Sequence, residues 1–149
     1  MSDGDSCLLI FQVPARSVSR RELSGFANEL QRHVTNGRSF CALITDDSEL
    51  RRLNREFRGK DYATDVLSFP AEREEGGLGD LAISWDRAKA QAAEHGHSVA
   101  DELRILILHG VLHLTGQDHE TDTGQMARAE MRWRRRFKLP IGLIERVGA

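Results

Sequence analysis

The sequence predicts an α+β domain: a small, mixed four-stranded sheet flanked by about five helices. Three observations carry that reading. β-rich apolar runs alternate with stretches of helical periodicity, in the order strand, helix, strand, helix, two strands, three helices. One helical stretch, ADELRILILHGVLHL, is apolar on nearly every side beyond Glu102, which belongs in the middle of a domain. The 149 residues, 40% hydrophobic and 30% charged, suffice for one core and contain no repeat, low-complexity tract or linker, so 1–149 reads as a single domain.

The elements follow in order. Cys7 to Val13 (CLLIFQV) is a strand closed by Pro14. Between Arg20 and Val34, Leu23, Phe26, Ala27 and Leu30 follow i, i+3, i+4, i+7 spacing, an amphipathic helix. Asn36-Gly37 is a turn, and Phe40 to Ile44 a buried strand. Asp46 with Glu49 forms a capping box for a short helix whose buried face is Leu50, Leu53 and Phe57. After a loop from Gly59 to Thr64, Val66 to Phe69 is a strand ended by Pro70. The acidic stretch Ala71 to Gly77 is a solvated hairpin connection to Leu81–Ser84. Trp85 to Glu94 is helical by its alanine content. Ser98 caps the apolar helix and Gly116 stops it in a left-handed conformation. Asp122 and Gln125 open a last helix that buries Met126, Ala129, Trp133 and Phe137 and ends before Pro140.

The formal net charge of −2 excludes a uniformly cationic coat, so any polyanion site must be a local patch. Only three of the 21 basic residues are lysines, Lys60, Lys89 and Lys138. Two cysteines, Cys7 and Cys41, with no CxxC motif, read as buried thiols in a reducing compartment. The start of the chain has no cationic, long-apolar leader pattern, and no apolar run is long enough to span a bilayer, which predicts a cytoplasmic protein without membrane partners.

The most informative segment is HGVLHLTGQDH, His109 to His119. His109 and His113 stand four residues apart on a helix, about 40° apart around its axis, so both imidazoles face one way. That pair clamps a tetrahedral metal such as zinc, and the turn at Gly116 brings His119 back as a third nitrogen ligand, leaving the fourth position open as catalytic sites do. This places a site for one Zn²⁺ at the end of the buried central helix, with Asp118 a candidate to orient a ligand imidazole. His33, His95 and His97 lie in polar surroundings and read as ordinary surface histidines. The spacing also matches the zinc-peptidase pattern H-E-x-x-H-x-x-G-x-x-H, but the glutamate that serves there as general base is Gly110 here, and glycine moves no proton.

The second telling segment is RRLNREFRGKDYATDVLSFP, Arg51 to Pro70. Arg51, Arg55 and Arg58 form a stripe, with Arg52 and Lys60 nearby. A solvated helix face accounts most simply for Arg51 and Arg52. Arg58 differs: at the helix end, beside a loop carrying Tyr62, Thr64 and Asp65, its guanidinium is placed to clamp a phosphate. A further positive cluster, Arg128, Arg132 and Arg135, is a candidate grip on a nucleic-acid backbone together with Arg51, Arg55 and Lys60, or equally a set of cations favoured by a helix C-terminus. Asp80, before the strand LAIS, is a weaker site candidate and more simply a turn aspartate.

HGVLHLTGQDH, TDVLSFP (Thr64 to Pro70), LNREFR (Leu53 to Arg58) and GDLAIS (Gly79 to Ser84) resemble, in order, the characteristic blocks of the YbeY-type bacterial endoribonucleases, also described as rRNA maturation factors. The resemblance spans nearly the whole chain and departs at Gln117, where tyrosine is more frequent, and at Ala63, where proline is common. It implies a zinc-dependent, single-strand-specific endoribonuclease acting in maturation of the small-subunit (16S) rRNA 3′ end and in ribosome quality control, with the small ribosomal subunit and its assembly factors as partners. By motif position it implies His109, His113 and His119 as metal ligands and Arg58 as the functional arginine, with His109 and His113 also candidates for the chemistry. The rival readings are a metzincin-like zinc peptidase and a non-catalytic ribosome-assembly factor stabilised by zinc.

Overall fold

A computed structural model describes residues 8–71, 77–117 and 121–148. Its elements are β1 (Leu9–Phe11), α1 (Arg20–His33), β2 (Phe40–Thr45), α2 (Asp47–Arg58), β3 (Val66–Pro70), β4 (Gly79–Ser84), α3 (Trp85–His95), α4 (Val99–Leu114), α5 (Gln125–Arg136) and α6 (Leu143–Gly148). The mixed sheet runs β1-β2-β4-β3, with β1, β2 and β4 parallel and β3 antiparallel to β4 at one edge. The α+β class and the element order agree with the sequence reading. To the five helices read in order the structure adds a short sixth, α6, after Pro140, which at six residues is too short to show a period.

Alternation along the strands explains the layers. Phe40, Ala42 and Ile44 of β2 and Leu81 and Ile83 of β4 point to one face and meet α1 and α4 in the main core. Leu67 and Phe69 of β3 and Ala82 of β4 point to the other, under Leu50 and Leu53 of α2. The caps read from sequence at Asp46 and Ser98 form, accepting from the backbone N–H three residues on at 2.9 and 3.1 Å, and Ser19 caps α1 in the same way at 3.1 Å. At the end of α4, Gly116 (φ 98°) donates to His113 O and Gln117 N–H to Leu112 O, the paired bonds of a Schellman turn.

Four local expectations are corrected. Phe57 is 63% exposed rather than buried; periodicity puts it on the apolar stripe, but at the end of α2 it borders an open groove over the sheet and meets Phe69 edge to face. Cys41 is half-buried, on the sheet face beside α2; Cys7 lies outside the described residues, as does most of the acidic hairpin connection. The N-cap of α5 is Gly124, with Asp122 accepting from the N–H of both Gly124 and Met126. Trp133 and Phe137 are half-buried against the core.

His97 is also no ordinary surface histidine. Its Nε2 lies 2.6 Å from Glu102 Oε1, and Glu102, fully buried on α4, receives two bonds from Arg146 of α6, at 2.9 and 2.6 Å, and one from Gln91 of α3. Burial alone raises the Glu102 pKa and is the largest single influence. The bonds and charges of Arg146 and His97 together outweigh it and hold the carboxyl below its ordinary 4.5. A depressed folded-state pKa contributes stability at pH values above the unfolded one, and that contribution disappears as pH falls through the folded value. Denaturant melts between pH 5 and pH 3 should therefore show falling stability, with a shallower slope in Glu102→Gln; equal slopes would show that other carboxylates carry the effect.

Candidate active site

The end of α4 and the free edge of the sheet together form a cleft of about 570 Å³. The helix supplies His109 and His113, and the Schellman turn supplies Gly116 and Gln117. The sheet supplies Thr64, Asp65 and β3, while Arg58 reaches in from the end of α2 and Leu143 from α6. Residues from both informative sequence segments, 51 positions apart at Arg58 and His109, thus share one cavity.

His109 and His113 lie one helical turn apart with ring centroids 4.8 Å apart and planes at 72°. His109 is buried and His113 half-buried. His109 Nδ1 stands 2.6 Å from Oε2 of Glu130 on α5, a carboxylate that is 1% exposed. Two imidazoles on one side of a helix, one of them backed by a buried carboxylate, fit a metal such as zinc in donor type. Among the described residues no group of three His, Cys, Asp or Glu side chains is arranged to hold an ion. The third expected ligand, His119, and the candidate orienting residue Asp118 lie outside the described residues.

Sequence reasoning missed Glu130, although a signal for it exists. Position 130 is four residues after Met126 and three before Trp133, in register with the buried stripe of its helix. A carboxylate on an apolar face must find a partner.

Gly110 faces away from the cleft. A Cβ there would stand 2.7 Å from Leu81 Cδ2 and 3.3 Å from Val66 Cγ2, so any side chain at this position would have to displace Leu81 between α4 and the sheet. Its carbonyl accepts from the Ser68 hydroxyl at 3.1 Å, which ties the cleft's two walls together.

Charge separates Arg58 from its neighbours. Arg51 makes two bonds to Asp61, Arg52 pairs with Glu49 and Glu56, and Arg55 lies 3.6 Å from Asp61. Arg58 pairs with no carboxylate among the described residues; Nη2 donates to the backbone oxygen of Ser68 at 3.0 Å. That carbonyl points off the free edge of β3, because the residues bonded to β4 are the odd ones: Asp65 O accepts from Ser84 N–H and Ala71 N–H donates to Leu78 O. Elsewhere on this edge, Asp65 Oδ1 takes the Val66 N–H and Pro70 has none to offer. Three of the positions an added strand would pair with are therefore taken or lack a donor, which disfavours such pairing.

The other positive residues do not line the cleft. Arg51, Arg55 and Lys60 are exposed on or just after α2, and Arg128, Arg132 and Arg135 are exposed on α5. Arg132 lies over the Trp133 ring, and Arg134 is bound by Glu145. Tyr62 is exposed outside the cleft, and Asp80 belongs to the opposite sheet face beside Phe57 and Phe69.

Comparison with known proteins gives a consistent result. The family model for Endoribonuclease YbeY matches residues 15–138. A protein of that name from Solibacter usitatus is 55% identical over 147 residues, covering 99% of both chains. Another, from Koribacter versatilis, is 50% identical over 139 residues, covering 93% of this chain and 91% of its own. Among solved structures, the solution structure of TM1509 from Thermotoga maritima matches with a TM-score of 0.61 and 25% identity over 85% of each chain.

Proposed function

The chain belongs to the YbeY family of endoribonucleases, and from that premise we propose that it cleaves single-stranded RNA at the cleft between α4 and β3, with one zinc ion held by His109, His113 and His119. The observation that carries this reading is Arg58, a guanidinium without a carboxylate partner among the described residues, lining the same cavity as two histidines of a metal-ligand pattern. A cleft of about 570 Å³ is of small-ligand size, which suits an extruded stretch of single strand better than a duplex.

In this reading Arg58 binds the scissile phosphate and offsets the charge that grows on its oxygens as the phosphorus becomes five-coordinate. Its bond to Ser68 O holds the guanidinium over the cleft before substrate arrives, so less ordering remains to be done on binding. Zinc, when bound, supplies Lewis-acid polarisation of an oxygen at the reacting centre. His109 and His113 hold their rings from one rigid helix, which keeps the donor atoms in register. Backbone contacts along the strand fall to Arg51, Arg55, Lys60, Arg128, Arg132 and Arg135; of these Arg51 and Arg55 must first exchange Asp61 for phosphate.

Following the family resemblance, the proposed substrate is the 3′ region of small-subunit rRNA, the partners are the small ribosomal subunit and its assembly factors, and the place is the cytoplasm. No helix among the described residues is long and apolar enough to cross a membrane.

The peptidase reading has little support. It needs a general base where Gly110 faces the sheet, and an open strand edge for an extended peptide where Arg58, Asp65 and Pro70 occupy β3. A non-catalytic assembly factor would bind rRNA without turnover. The test is cleavage of single-stranded and duplex RNA by the purified protein, with metal content measured, before and after chelation. Cleavage confined to single strands, lost on chelation, restored by zinc and absent in His113→Ala is expected. RNA binding with no cleavage under any metal would overturn the assignment.

A further inference from the structure

We infer that Glu130 is a positioning residue: it fixes the proton of His109 on Nδ1 so that Nε2 presents its lone pair, and α6 holds the carboxylate in place to do so. The inference rests on the reading of His109 as a metal ligand. It begins from where Glu130 sits. The side chain is 1% exposed on the apolar stripe of α5, where an ionised carboxylate is costly unless its oxygens are satisfied. Both are: Oε2 faces His109 Nδ1 at 2.6 Å, and Oε1 accepts the Ile144 N–H of α6 at 2.9 Å.

An ionised carboxylate only accepts hydrogen bonds, so the Nδ1 it faces must be the donor, and a neutral imidazole then carries its lone pair on Nε2. Metals bind the lone-pair nitrogen. The choice of tautomer is set by the acceptor at the other nitrogen and not by the ring.

The placement of Glu130 depends in turn on α6. Gly142, just before α6, packs so closely that a Cβ there would stand 2.8 Å from Glu130 Cδ. The helix is itself tied down by Arg146, whose guanidinium grips Glu102 two turns before His109 on α4. One short helix therefore contacts both the helix bearing the imidazole and the carboxylate that orients it. A glutamine at 130 meets both neighbours only by accepting the Ile144 N–H with its oxygen and donating its amide to Nδ1, which moves the ring proton to Nε2 and takes the lone pair away from it.

The test uses the full chain stripped of metal. Long-range ¹⁵N–¹H correlation of the His109 ring in the wild type should show the proton on Nδ1. Zinc affinity, measured by competition with a chromophoric chelator, should fall about 10–100-fold in Glu130→Gln. Gly142→Ala, which displaces the carboxylate without removing it, should also weaken zinc binding while circular dichroism stays native. A proton on His109 Nε2 in the wild type, or zinc affinities in both variants within twofold of wild type, would overturn the inference alone. If Glu130→Gln does not fold, the wild-type tautomer and Gly142→Ala decide. Failure of the wild type to bind zinc would overturn the metal reading and the inference with it.

Discussion

Arg58→Ala should lower cleavage of single-stranded RNA by about 10²–10³-fold, the usual loss when one preorganised donor to transition-state charge is removed. The effect should fall on turnover more than on binding, because the proposed reading gives the strand contacts to other basic residues, while among the described residues Arg58 is the one basic side chain that lines the cleft with the histidines. Stability should change little: the side chain is exposed and its bond is to a main-chain carbonyl at the sheet edge. Arg58→Lys should recover only part of the activity, since an ammonium replaces the planar two-pronged donor with a point charge. Arg52→Ala is the control. Arg52 is bound by Glu49 and Glu56 on the outer face of α2 and lies outside the cleft, so its loss should leave cleavage intact. Equal activity of Arg58→Ala and wild type would remove Arg58 from the mechanism.

Gly110→Glu should destabilise the protein by more than about 4 kcal/mol, combining the strain of an overfilled core with the burial of an unpaired carboxylate. Native domains have about 5–15 kcal/mol in total, so most of this variant should be unfolded or aggregated, as urea melts and size exclusion would show. It restores the glutamate of the peptidase pattern in sequence, yet no peptide hydrolysis should appear. The new side chain starts 2.7 Å from Leu81 and is directed at the sheet. A folded Gly110→Glu that cleaves peptides would overturn this account of α4.

What was legible in the sequence was local. The histidine pair, the stop at Gly116, the caps at Asp46 and Ser98 and the stripe of α1 each rest on residues within a few positions of one another, where helical geometry dictates who faces whom. The distinction between Arg58 and its neighbours was legible too, from its place at a helix end. What was not legible depends on partners distant in sequence. Glu130 meets His109 across 21 residues and Glu102 meets Arg146 across 44, and no periodicity announces such pairs. Phe57 shows the opposite failure: its spacing is right for burial, but burial also needs a covering layer, and the groove it borders beside Phe69 is open.

The occupied edge of β3 has a consequence for the protein's behaviour at high concentration. A cleft bordered by an open strand would invite other molecules of the same chain to add strands to it, and crowded molecules would associate through their own active sites. Asp65, Pro70 and Arg58 make that border a poor template for another strand, with the arginine doing so from the position at which the proposed reading has it meet substrate. Colloidal restraint and the proposed phosphate recognition would thus share one guanidinium.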